Sequence, residues 1–111
     1  MEILEAAGRY AAGAAGAPGW VEHLRVADLS LGTYSLPAGG VDNQEPHTED
    51  EIYVVMSGRG RFATPTRAVE VAPGAVLFVP AGEIHRFSDI IEDLAALVVF
   101  APAEGSRTRS S

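Results

Sequence analysis

The 111-residue sequence predicts one all-β domain. Short segments rich in β-branched and aromatic residues recur between residues 20 and 100, and turn sequences separate them. No segment in this range keeps a helical period over more than about two turns. The expected strands are residues 21–26, 30–36, 51–57, 61–63, 68–71, 75–79, 85–88 and 95–100. Short strands that recur in this way are typical of a β-sandwich or a β-barrel.

Turns are expected where glycine and proline cluster. The four clearest clusters are residues 37–40, 57–60, 73–74 and 80–82. Glycine adopts positive φ angles at little cost, and proline fixes φ near the value that the first turn position requires. Each cluster is therefore expected to separate two strands.

The two ends of the chain differ from this central part. Residues 11–19 are all Ala, Gly or Pro and would hold a helix poorly, so residues 1–19 are expected to form a flexible arm with at most a short helix. Residues 101–111 have the composition of a disordered tail that adds nothing to the barrel. The predicted barrel domain spans residues 20–100.

Composition and charge exclude several classes of function. The chain has no cysteine, which rules out disulfides, thiolate nucleophiles and sulfur-ligated metals. Its formal charge of −7 has the wrong sign for a protein that neutralises nucleic-acid phosphates. We find no signal-peptide pattern and no apolar run of roughly eighteen residues. No nucleic-acid or membrane partner is expected, and a cytoplasmic location is the default.

The first of two motifs lies at residues 40–58. His47 is followed by Glu51 after three intervening residues, and Gly58 follows Glu51 after six. This segment resembles the first motif of the cupin superfamily, G-x5-H-x-H-x3,4-E-x6-G, in which His47 takes the place of the second histidine. The place of the first histidine is occupied by Glu45.

The second motif lies at residues 74–89. It resembles the second cupin motif, G-x5-P-x-G-x2-H-x3-N, because Gly74, Pro80, Gly82 and His85 match it at every spacing. Asp89 stands where the pattern has asparagine. Together with the spacer between them, the two motifs cover residues 40–89, nearly half of the chain. The resemblance implies a small, RmlC-like cupin with a single double-stranded β-helix, or jelly-roll, barrel.

The motif residues predict a metal site. On a strand, Glu45 and His47 would face the same side, and Glu51 would join them after a polar corner. In cupins the histidine of the second motif reaches the same point, so the resemblance implies His85 as the fourth ligand. Gln44 is the alternative to Glu45 if a bulge shifts the register.

Four neighbouring residues are assigned lesser roles. Glu49 and Asp50 are expected to be solvated turn residues. Tyr53 and Phe87 share strand parity with the predicted ligands and are expected to line the pocket.

The predicted ligand set favours a divalent cation. Two imidazoles and two carboxylates without sulfur suit iron, manganese, nickel, cobalt or zinc, and affinity order alone does not choose among them. Two carboxylates also balance the charge of a divalent ion, whereas without an ion they would repel each other and protonate.

Cupins differ widely in activity, so the resemblance alone does not fix the reaction. Our leading interpretation is a metalloenzyme, dioxygenase-like or isomerase/lyase-like, that acts on a small organic acid, enol or phenolic compound with the ion as Lewis acid and Glu51 or Glu45 as base. The alternative is a non-catalytic module that binds or stores a small ligand around a structural metal. A homodimer is expected, because Ile52, Val54 and Met56 would face outward.

Overall fold

The computed structural model describes residues 1–107, and strands dominate them. The strands are β1 (Gly19–Val26), β2 (Leu29–Leu36), β3 (Asp50–Thr64), β4 (Arg67–Val71), β5 (Val76–Val79) and β6 (Arg86–Ala101). They form one antiparallel sheet in the order β1-β2-β6-β3-β4, and β5 also pairs with β3. The predicted all-β fold is confirmed, and the arrangement is consistent with a jelly-roll barrel. No helix within residues 1–107 is long and apolar enough to cross a membrane.

Strands β3 and β6 are the two long strands of the barrel. Each covers two segments that the sequence predicts as separate strands. They pair with each other from Asp50 opposite Ala101 to Ala63 opposite Arg86, with register shifts in the middle. The first half of β3 also pairs with β5, and its second half pairs with β4. Register shifts bend a strand pair, which lets one sheet curl around a core.

Two residues with positive φ mark these bends. Gly58 has a φ of +86°, and a Cβ at this position would clash with the backbone of Asp93 on β6. The predicted turn at 57–60 is therefore wrong: the glycine allows a close strand approach inside β3. Asp89 in β6 has a φ of +48°. Asparagine and aspartate tolerate this region better than most residues, which explains an acidic residue at the asparagine position of the motif.

The interior of the barrel is aromatic and aliphatic. The rings of Tyr53, Phe62 and Phe87 pack edge to face, with centroids 4.8 to 5.4 Å apart. Around them lie the buried aliphatic residues Leu36, Val55, Val71, Val79, Ile90, Leu94 and Val98. This packing fixes the inner faces of β3 and β6, from which the site is built.

The N-terminal residues dock on β2. The Gly8 amide donates to the Thr33 hydroxyl at 2.8 Å, and the Ala11 amide donates to the Ser35 hydroxyl at 3.1 Å. His23 lies 2.7 Å from the same Thr33 hydroxyl. The hydroxyl groups of β2 thus hold residues 8–11, a contact that the Ala/Gly-rich composition does not reveal.

Residues 102–107, which we call the C-terminal strap, also pack against the barrel. The Glu104 amide donates to the Ser30 hydroxyl at 2.9 Å, and Arg25 donates to the Glu104 carbonyl at 2.9 Å. The expectation that this segment adds nothing to the barrel is therefore wrong for 102–107. Residues 108–111 of the predicted tail lie outside the described residues.

Glu49 holds the other end of the strap. Its carboxylate accepts the Gly105 and Arg107 amides at 2.8 and 3.0 Å. The residue is buried, so the expectation of a solvated turn residue is wrong for Glu49. The physical reason is that the strap covers the carboxylate and supplies the donors that water would otherwise provide.

Candidate metal centre

Three of the predicted ligands meet inside the barrel. One ligand atom each from His47, Glu51 and His85 lies within 4.8 Å of the other two. His85 Nε2 is 3.1 Å from Glu51 Oε1, and His47 Nε2 is 4.0 Å from Glu51 Oε2. The side chains of Glu51 and His85 are 1 % exposed, whereas that of His47 is 22 % exposed. The group is thus buried, with its open side at His47.

The two motifs are joined by hydrogen bonds that position these side chains. His47 lies in the loop before β3, Glu51 is the second residue of β3, and His85 directly precedes β6. The Gly82 amide donates to the His47 carbonyl at 2.8 Å. The carboxylate of Asp50 accepts the Ala81 amide at 2.9 Å. The turn after β5 therefore holds the His47 loop, and Asp50 joins the two motifs.

The carboxylate of Glu51 lacks hydrogen-bond donors. Both oxygens are buried, and no group among residues 1–107 donates a well-aligned hydrogen bond to either of them. An unpaired buried carboxylate costs several kcal/mol, roughly as much as breaking a buried ion pair. Native structures satisfy nearly all such groups, so this carboxylate is suited to binding a cation.

The tautomer of His85 supports the same conclusion. His85 Nδ1 is 2.8 Å from the carbonyl oxygen of Glu83, which only accepts, so Nδ1 carries the proton. In the neutral ring, Nε2 then directs a lone pair toward Glu51 Oε1 at 3.1 Å. Two lone pairs at this distance require a proton or a metal ion between them. A backbone carbonyl that accepts from the far ring nitrogen is also the usual arrangement of a metal-binding histidine.

The pKa values around the centre shift in one direction. Burial lowers the pKa of His85, but its contacts with the Glu51 carboxylate and the Glu83 carbonyl outweigh burial and leave the pKa raised. The pKa of Tyr53 is raised by burial and, secondarily, by the charge of Glu51. Both shifts reflect negative charge in a buried space, which a cation would offset.

Residue 45 does not reach the centre. Glu45 is exposed, and residues 37–49 form no strand, so the alternation that would place it beside His47 does not apply. Gln44, and not Glu45, lies beside His47. Its Oε1 is 3.2 Å from His47 Nε2, and it accepts the Tyr53 hydroxyl at 3.0 Å. The hydroxyl of Tyr53 is also 3.1 Å from His85 Nε2.

Asp42 fixes the orientation of the Gln44 amide. Asp42 is buried and accepts Gln44 Nε2 at 2.8 Å, which leaves Oε1 facing the centre. It also accepts the Phe87 amide at 2.8 Å and the Tyr34 hydroxyl at 2.6 Å. Burial, followed by this contact with Asp42, raises the pKa of Tyr34. Sequence reasoning missed Asp42, because its only signal is an Asp-Asn-Gln run that is equally typical of a turn.

A cavity of about 160 Å³ adjoins the centre. It is lined by Trp20, Tyr34, Gln44, His47, Glu51, Tyr53, Val98, Phe100 and Glu104. Of the two predicted pocket residues, Tyr53 lines the cavity, whereas Phe87 packs behind Tyr53 in the core, with ring centroids 5.0 Å apart. Glu104 reaches the cavity from the C-terminal strap, a segment that the sequence predicts to be disordered.

Comparison with known proteins identifies the family. Residues 32–101 match the sequence model of the cupin domain, which is well over half of the chain. The chain belongs to the cupin superfamily. An uncharacterized protein of Streptomyces coelicolor is 46 % identical to this cupin over 85 residues, which are 77 % of this chain and 81 % of that protein.

Solved structures share the fold of this cupin. The TT1209 protein of Thermus thermophilus has a TM-score of 0.75 at 22 % identity, covering 93 % of this chain and 97 % of that one. An RmlC-like cupin of Shewanella frigidimarina has a TM-score of 0.73 at 15 % identity, covering 83 % and 82 %. At these identities the likeness establishes the fold alone.

The donor set of this cupin fits a divalent ion. Nitrogen and oxygen atoms converge from His47, Glu51 and His85 on a buried point beside a cavity, and neither oxygen of the Glu51 carboxylate accepts a well-aligned hydrogen bond from the described residues. These three side chains could hold a metal ion, with the cavity side left for further ligands.

Proposed function

We propose that this cupin binds a divalent metal through His47, Glu51 and His85, with Gln44 Oε1 rather than Glu45 as the fourth protein ligand. The unsatisfied carboxylate of Glu51, which faces the lone pair of His85 Nε2, is the observation that carries the proposal. Gln44 is favoured over Glu45 because its amide is turned to the centre and held there by Asp42.

The amide ligand changes the charge of the centre. Two neutral histidines, one carboxylate and one amide leave a divalent ion with a net charge of about +1, whereas a second carboxylate would leave it neutral. Such a centre attracts an anionic or readily ionised oxygen donor. Iron(II), manganese, nickel and zinc all suit the nitrogen and oxygen donors.

We propose that the centre serves a metalloenzyme that acts on a small enol or phenolic compound. A bound ion would supply Lewis-acid polarisation of the oxygen donor. The hydroxyl of Tyr53 keeps its proton at the centre, because burial raises its pKa, and it lies within 3.1 Å of both Gln44 Oε1 and His85 Nε2. Trp20, Tyr34 and Phe100 give the cavity an aromatic wall.

A non-catalytic binding module is the second candidate. It is favoured because none of the described cavity residues is a free base beside the centre. Glu51 is proposed as a ligand, and Glu104 lies on the far side of the His47 ring, next to Nδ1. Steady-state assays of the iron-loaded and manganese-loaded protein with a catechol and enol panel separate the two candidates. Product formation above the metal-only blank supports the enzyme, and binding without product supports the module.

The metal centre is tested by substituting histidines one at a time. We expect His47→Ala to lower Mn²⁺ affinity by at least about tenfold, because a direct ligand is lost. His23→Ala is the matched control, since His23 contacts Thr33 away from the centre and its loss leaves Mn²⁺ affinity unchanged. Isothermal titration calorimetry and elemental analysis give the readout. Equal metal content in His47→Ala and wild type would rule out the centre.

We also propose that the protein forms a homodimer through the outer faces of β3 and β5. Ile52 lies opposite Phe78 in the register, and Val54 lies opposite Val76. The exposed fractions of Phe78 and Val76 are 63 % and 65 %, so an apolar patch faces outward. Light scattering after size-exclusion chromatography is expected to give twice the chain mass of 11.6 kDa for wild type and the single mass for Phe78→Asp.

A further inference from the structure

The C-terminal strap carries a carboxylate to the mouth of the cavity. Both backbone polar groups of Glu104 are held, the amide by Ser30 and the carbonyl by Arg25. The strap is tied down again beyond Glu104, where Glu49 accepts two of its amides. With the backbone fixed on both sides, the side chain of Glu104 lies in the cavity wall, 31 % exposed, with Oε2 3.9 Å from His47 Nδ1.

Among the described residues, the cavity wall contains no lysine or arginine side chain that could receive an anionic group, and its histidine, His47, is a proposed metal ligand. The chain has no lysine, and none of the arginines within residues 1–107 lines the cavity. Arg25 contacts Glu104, but its guanidinium is bound to the Glu22 carboxylate at 2.9 and 3.0 Å and to the Glu104 carbonyl. A carboxylate or phosphate on the ligand, away from the metal, would therefore face Glu104 without a partner.

The rest of the wall suits a cation. Trp20, Tyr34 and Phe100 line the cavity together with Glu104. Aromatic faces attract ammonium groups through their quadrupole, and a nearby carboxylate adds a charge-assisted hydrogen bond. Away from the proposed ligands His47 and Glu51, the wall combines aromatic rings with the carboxylate of Glu104 and includes no lysine or arginine, which is typical of a site that recognises an amine.

We infer that the cavity selects a small ligand with an oxygen donor at the metal end and an ammonium group at the other end, and that Glu104 is the residue that determines this preference. The inference rests on the proposed metal centre for the position of the oxygen donor. It goes further by excluding, as good ligands, compounds that carry a second anionic group.

Three catechols of similar size test the inference, because their tails differ mainly in charge. The tails are aminoethyl, hydroxyethyl and carboxymethyl groups. Trp20 is the single tryptophan of the chain and lines the cavity, so its indole N–H signal in a ¹H–¹⁵N spectrum reports binding. We expect metal-free and Zn²⁺-loaded wild type to bind the aminoethyl catechol at least about tenfold more tightly than the carboxymethyl catechol, with the hydroxyethyl compound between them.

Substitution of Glu104 should remove the preference without affecting the metal. In Glu104→Gln the ratio between the aminoethyl and carboxymethyl catechols should fall to within about threefold, while Zn²⁺ affinity stays within about threefold of wild type. Glu70→Gln is the control, because it removes the same charge from an exposed site on β4 and should keep the wild-type ratio.

Several results would overturn the inference. The first is a wild-type preference for the carboxymethyl catechol. The second is an unchanged ratio of aminoethyl to carboxymethyl affinity in Glu104→Gln, and the third is no binding of any catechol to the metal-free or the Zn²⁺-loaded protein. A tenfold loss of Zn²⁺ affinity in Glu104→Gln would also contradict it, since Glu104 would then act through His47. Failure of wild type to bind Zn²⁺ would refute the metal centre alone, because the ratio in the metal-free protein still decides the role of Glu104.

Discussion

Glu49 and Glu51 are two buried glutamates, two residues apart, with opposite surroundings. Their residues are 1 % and 2 % exposed. Glu49 accepts hydrogen bonds from the Thr48 hydroxyl and from two amides of the C-terminal strap. Glu51 receives no well-aligned hydrogen bond from the described residues. The two buried carboxylates therefore differ in their hydrogen bonds: the protein itself supplies the donors of Glu49, whereas the carboxylate of Glu51 could be satisfied by a cation.

The pKa of Glu49 reflects its donors. Burial alone would raise the pKa of this carboxyl, but the hydrogen bonds from Thr48 and the strap amides outweigh burial and hold the pKa below its ordinary value. Glu49 thus acts as a structural anion that holds the strap. Because Glu104 belongs to the strap, Glu49 also helps to position the part of the cavity wall that Glu104 forms.

Removing the charge of Glu51 is expected to have the largest effect on function. Glu51→Gln should lower Mn²⁺ affinity by about 100-fold or more, because the single anionic ligand is lost. The metal-free variant should be at least as stable as metal-free wild type, since an unpaired buried charge disappears. Calorimetric titration and urea unfolding measure the two quantities. A metal-free variant that is several kcal/mol less stable would show that Glu51 is structural like Glu49.

The same substitution at Glu49 should act on stability instead. Glu49→Gln replaces charge-assisted hydrogen bonds by neutral ones and should cost about 2 kcal/mol of unfolding free energy. Mn²⁺ affinity should stay within about threefold of wild type. Hydrogen exchange at the Gly105 amide should become faster, because its acceptor is weakened. Unchanged stability together with reduced metal affinity would reverse the roles of the two glutamates.

Neighbouring Gln44 and Glu45 extend the comparison to the fourth ligand. Gln44→Ala should lower Mn²⁺ affinity by about tenfold, and Glu45→Ala, the matched control, should leave it unchanged. Asp42→Leu should behave like Gln44→Ala in metal binding, because the amide of Gln44 loses its anchor. If Glu45→Ala instead weakened binding and Gln44→Ala did not, the exposed position of Glu45 would not represent the metal-bound state.

Local sequence signals predicted most of the fold. Alternating and β-branched segments located the outer ends of every strand within one or two residues, because strand formation here follows local pattern. The joined centres of β3 and β6 were missed for a tertiary reason. Glycine marks both turns and bulges, and only the approach of Asp93 from β6 makes Gly58 a bulge.

The candidate site was predictable only in part. Motif spacing brought together His47, Glu51 and His85, because these positions are fixed by strand ends and a short turn. The sequence left the fourth position open between Glu45 and Gln44, because the loop before β3 is held by the buried carboxylate of Asp42 and follows no strand alternation. The buried state of Glu49 depends on strap amides that come from more than fifty residues away.

Acid should abolish the contribution of the Glu49 carboxylate to folding stability. The effect of pH is therefore the finest test of the difference between Glu49 and Glu51. The folded-state pKa of Glu49 is lowered from its ordinary value of 4.5, so its stabilisation is fully present above that value and is lost as the pH falls through the folded-state pKa. Wild type should therefore be more stable than Glu49→Gln at neutral pH, and the difference should shrink as the pH falls from 4.5 through the folded-state pKa. Urea unfolding of both proteins across this range measures it. A stability difference that stays constant with pH would mean that shape, and not charge, holds the strap on the barrel.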